Sequence, residues 1–99
     1  MNDPKSSQNF SINVEAARLA VTEFEWALQA TSLPAETLAE LSGDLDTIKA
    51  QIAKPSPSRT IINEAGSSIR NVIEGMSGGM LPNSLGPYAS DLLDALGLN

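Results

Sequence analysis

Val14-Glu15-Ala16-Ala17-Arg18-Leu19-Ala20-Val21-Thr22-Glu23-Phe24-Glu25-Trp26-Ala27-Leu28 is the stretch that decides the fold. Val14, Ala17, Val21, Phe24 and Leu28 follow one another in alternating steps of three and four. An α-helix turns once in about 3.6 residues, so these positions line one side of a helix, whereas the two-residue period of a strand scatters them over both faces. Leu38, Leu41, Leu45, Ile48 and Ile52 repeat the spacing, and so do Ile62, Ala65, Ile69, Val72 and Met76. Each stretch therefore has an apolar seam to bury against a neighbour. The spacing predicts an all-α chain, a small helical bundle of three long helices plus a short C-terminal helix.

Punctuation along the chain sets the expected boundaries. Residues 1–10 are polar, contain Pro4 and read as a flexible N-terminal arm. Residues 11–99 read as one bundle domain with helices at about 12–31, 34–53, 57–76 and 87–96. Ser11 or Asn13 is placed to start the first helix. Ser32 with Pro34, and Ser56 with Pro57, pair a capping side chain with a proline in the first turn of the second and third. Ser77-Gly78-Gly79 reads as the stop of the third helix, and Pro82, Gly86 and Pro87 as an irregular connection. Tyr88, Leu92 and Ala95 give the last helix an inward side, and Gly97 closes it.

Composition narrows the function classes. The chain has 99 residues, six Lys and Arg against twelve Asp and Glu, and a net charge of −6. A sequence pI near 4.3 and scattered cations disfavour binding to nucleic-acid phosphates or to an anionic membrane surface. No apolar run approaches the roughly 20 residues of a membrane span. MNDPKSSQNF has no apolar signal core, so the cytoplasm is the expected location. There is no cysteine, and neither a disulfide nor a thiolate-bound metal reinforces so short a chain; association with another copy is a plausible further source of stability.

Chemistry-bearing constellations are sparse. With no histidine, a serine has no imidazole base to activate it. Asp44-Leu45-Asp46 and the Asp91–Asp94 pair do not extend into a calcium loop. Ser77-Gly78-Gly79-Met80 has the glycines of a phosphate loop without the lysine or the preceding strand. The reading is a non-enzymatic protein with no cofactor and no metal.

The feature that points to function is a second apolar line on the first helix. Ile12, Leu19, Trp26 and Leu33 recur every seventh residue, opposite the Val14–Leu28 seam, with Ala16 and Ala30 beside them. Either the short fourth helix covers this face within one chain, or the face docks on a partner. The second possibility predicts an acidic interaction module that self-associates as a homodimer, with Trp26, a residue type enriched at binding hot spots, among its anchors. Glu36, Glu40 and Asp44, four apart on the second helix, form an acidic face. It reads as solvated surface, or alternatively as the grip of a small inhibitor or antitoxin-like protein on a basic site of its target. A further alternative is a small-molecule binder with a pocket between the first and third helices, lined by Trp26, Ile69 and Met76. Gly66, inside the third helix, predicts a tight crossing, because glycine there costs roughly 1 kcal/mol relative to alanine.

Ser68-Ile69-Arg70-Asn71-Val72-Ile73-Glu74-Gly75 resembles the closing helices of small bacterial helical proteins. The resemblance implies a bacterial or phage origin and an accessory helical module.

Overall fold

The computed structural model describes residues 13–76 and 85–98. The expected arm at residues 1–10 and most of the expected connection after the third helix lie outside the described residues. Four helices and no strand occur among those described: α1 Val14–Gln29, α2 Ala35–Ile52, α3 Arg59–Gly75 and α4 Leu85–Ala95. The fold is the all-α bundle of three long helices and one short one.

α1 and α3 begin where a side chain satisfies a free amide of the first turn. Asn13 caps α1, its side-chain oxygen accepting the Ala16 amide at 3.1 Å. The other two expected caps move. At α2 the boundary residue is Pro34, with extended ψ of 144° and no side-chain cap bond, so Ser32 lies too far upstream. Only the acid Glu36 then complements the first turn. At α3 the cap is Ser58, two residues beyond Ser56, and its hydroxyl accepts the Ile61 amide at 3.3 Å. Ser58 is fixed there because its own amide is held by the Gln51 side chain at 2.8 Å. Pro57 thus stands outside the helix.

α3 ends at Gly75 with Met76 as its C-cap, and the Ser77-Gly78-Gly79 stop falls outside the described residues. α4 starts at Leu85, two residues earlier than the sequence suggests. Pro87 fits inside its first turn, where a missing amide hydrogen leaves no bond unmade. Gly97, with φ of +76°, ends the helix in the left-handed region.

The seams converge on one core. Phe24, Leu41, Leu45, Ile48, Ile62, Ile69, Leu85 and Leu92 are fully enclosed. Burying each such side chain is worth about 1.5–3 kcal/mol in transfer free energy. The helices form a ring in chain order: α2 touches α1 and α3, α4 touches α3 and α1, and the diagonal pairs do not approach. Leu28 and Gln29 lie beside Leu38 and Ser42, while Arg18 lies beside Ile52 and Ala53, so α1 and α2 run antiparallel. A 2.9 Å ion pair, Glu25–Lys49, bridges them. It holds the Lys49 ammonium above its ordinary pKa of 10.5, through the hydrogen bond first and the charge of Glu25 second.

Candidate functional site: the outer face of α1

α1 divides into a packed side and an outer side. Ala17, Ala20, Val21, Phe24, Ala27 and Leu28 are buried. Leu19 and Trp26 remain 59% and 65% exposed. At 3.6 residues per turn those two project from the side opposite Ala17 and Phe24. They stand seven residues, two turns, apart and make a short apolar ridge. Ala16, Thr22, Glu23 and Ala30 around them are exposed.

The expected four-residue line is therefore shorter than its sevenfold spacing implies. Leu33 is half-buried and packs against the core. Helical geometry ends at Gln29, so the spacing no longer governs where Leu33 points. Ile12 lies outside the described residues. The short helix packs on α1 but leaves this face open. Ala20 and Ala27, small and buried, belong to the packed side of the helix.

Charge rims the ridge unevenly. Glu15 is bound by Arg18 at 2.9 Å, one turn along the helix. Glu23 sits four residues after Leu19 and three before Trp26, hence on their side of the helix. Thr22 turns its hydroxyl back to the Arg18 carbonyl at 3.0 Å. The ridge thus has an apolar centre and an acidic margin.

The acidic face of α2 splits in a similar way. Glu36 and Glu40 are exposed, whereas Asp44 is half-buried. Its Oδ2 has neither solvent contact nor a hydrogen-bond partner among the described residues. Glu36 and Glu40 are the more exposed of the three carboxylates.

Trp26, Ile69 and Met76 share no pocket found among the described residues. Ile69 and Met76 are in the core, Trp26 is outside, and α1 and α3 sit diagonally across the ring. The surface between the described helices has open grooves, two of which matter here. One of about 420 Å³ runs between α1 and α2, over Leu28, Leu38 and the Glu25–Lys49 pair. The other, about 230 Å³, lies between α3 and α4, over Arg70, Ile73 and Leu93. No group of three or more potential metal-ligating side chains comes together among the described residues. No helix among them is long and apolar enough to cross a membrane.

Two contacts that join neighbouring elements lie outside the sequence pattern. Gln51 is buried and bonds Ser58, though nothing in a lone glutamine at a helix end announces it. Leu98 folds back onto Gly66; the signal for that was present, since a glycine followed by an apolar residue marks a helix end that packs backwards. Comparison of the chain with protein-family models, with curated proteins and with solved structures finds no match.

Proposed function

We propose that this chain is a non-enzymatic, acidic helical interaction module that self-associates through the outer face of α1. One observation carries the reading: Leu19 and Trp26 stand exposed on a continuous helix, opposite a side already packed. Enclosing two such side chains is worth about 1.5–3 kcal/mol each, and tryptophan is favoured among the anchors of protein interfaces. A two-fold antiparallel pairing suits the ridge. Centred between Thr22 and Glu23, it sets Leu19 of one copy on Trp26 of the other. That centre lies about one residue from the middle of Val14–Gln29, so the two helices overlap along almost their whole length, and one patch serves both copies.

The same pairing brings the two Glu23 side chains onto one flank near the axis. Like charges there weaken the dimer at low salt, and screening strengthens it. Sedimentation across the micromolar range, at low and high salt, tests the proposal. The expected result is a sedimentation coefficient that rises with protein concentration, more steeply at high salt, and a Trp26→Lys variant that stays monomeric with unchanged helical circular dichroism. A strict monomer in both salts overturns self-association.

A second reading is favoured by Glu23 beside the anchors and by exposed Glu36 and Glu40: the module occupies a basic-rimmed apolar site on a different protein. Its salt dependence has the opposite sign, since screening weakens an attraction between unlike charges.

A further inference from the structure

The ring of helices is not held evenly. α2–α3 and α1–α4 are the closely packed pairs, and the seams α1–α2 and α3–α4 are sparser. Each sparser seam carries a polar cross-link. Glu25–Lys49 spans the first, and the Arg70 guanidinium donates to the Leu98 carbonyl across the second.

The second seam has a further device. Gly97 turns the chain back, and the Leu98 amide donates to the Leu93 carbonyl at 2.9 Å, the six-residue closure of a helix end. In such an ending the apolar residue after the glycine ordinarily packs on its own helix. Here it also reaches the neighbouring one. A Cβ built on Gly66 would stand 2.1 Å from Leu98 Cδ1 and 3.7 Å from Leu93 Cδ2. The side chain that Gly66 lacks is thus the space Leu98 fills. What crosses α3 closely at Gly66 is a side-chain tip, not another backbone.

We infer that Gly97–Leu98 is a strap that latches α4 to α3, and that lifting Leu98 out of the Gly66 notch opens the α3–α4 seam while α2–α3 and α1–α4 stay packed. Leu98 is only half-buried, so its release forfeits less than a core leucine would. Partial openings of this kind lie below global unfolding in free energy. The opened seam uncovers Ile73 and Leu93, which line it. This strip is distinct from the α1 ridge: while the strap is seated Leu93 is buried and Ile73 is already half-exposed at the rim of the open groove.

Two measurements decide the matter. The first is residue-resolved amide hydrogen exchange on the full chain and on Gly66→Ala, whose new methyl takes the place of the Leu98 tip and makes it shift. Amides of Leu96, Gly97 and Leu98 exchange about tenfold faster or more in the variant, with Leu45 and Ile48 unchanged. Unchanged protection at Leu98, or equal loss at Ile48, overturns the strap.

The second measurement is a double-mutant cycle with Leu98→Ala, read as urea midpoints. Alanine in place of a mid-helix glycine favours the helix. Gly66→Ala therefore raises the midpoint more in the Leu98→Ala background, where the notch is empty, than in the parent. Equal shifts in both backgrounds mean that Leu98 is not seated against Gly66, and the inference fails. The cycle needs only folded variants, which the mild Leu98→Ala change ensures.

Discussion

Gln51 Oε1 accepts the Ser58 amide at 2.8 Å, so a side chain from the last turn of α2 holds the first residue before α3. Gln51 is the sole buried polar residue among those described. Removing its oxygen leaves a half-buried amide without a partner, at a cost of roughly 1–3 kcal/mol. Gln51→Leu keeps most of the volume and loses the acceptor. It lowers the urea midpoint nearly as much as Gln51→Ala does. A Gln51→Leu variant as stable as the parent means the bond contributes nothing.

The serine that caps α3 can be identified by comparing neighbours. Ser58→Ala removes the oxygen that accepts the Ile61 amide, and loss of such a cap costs about 1 kcal/mol. Ser56→Ala, at an exposed position of the connection, leaves the thermal midpoint where it was. The reverse order would place the cap at Ser56.

Phe24 and Trp26, two residues apart, respond oppositely to truncation. Phe24 is fully enclosed, and Phe24→Ala costs about 3–5 kcal/mol by opening a cavity. That is a large part of the roughly 5–15 kcal/mol that holds a small domain together. Leu19→Glu and Trp26→Lys fall at exposed positions and change folding stability by no more than about 0.5 kcal/mol. Chemical denaturation of the three variants in the monomeric regime checks the contrast.

The Glu25–Lys49 bridge gives the α1–α2 seam a pH dependence. Because the folded state holds Lys49 above 10.5, it retains that proton more tightly than the unfolded chain does. The contribution is complete below 10.5 and fades as pH rises through the elevated value. The effect is small, since both side chains are partly solvated, and smaller in high salt. Lys49→Met shows no such alkaline loss when its urea midpoint is followed into the alkaline range.

The seams were legible because burial imposes periodicity. Phe24, Leu41, Leu45, Ile48, Ile62 and Ile69 occupy the core where their three-and-four spacing places them. Leu38 has the same spacing and is 38% exposed. It lines the open α1–α2 groove with Leu28 and Gln29, at the very end of α1, and periodicity says nothing of where the neighbouring helix stops. Leu33 fails for a related reason, lying past the last helical residue of its own element. Helix starts were displaced by a few residues at Ser58 and Leu85, because the deciding partners are a distant Gln51 and a tolerated Pro87. For the outer face, the sequence distinguishes two apolar lines on α1. It does not say which flank the short helix takes.

Trp26 is the only tryptophan in the chain, and it sits outside the core. Its fluorescence is therefore a local gauge with an unusual blindness. Emission is red-shifted from the start and changes little as urea dismantles the interior, so melting has to be followed by circular dichroism. Encounters at the ridge, by contrast, register directly as a shift toward the blue.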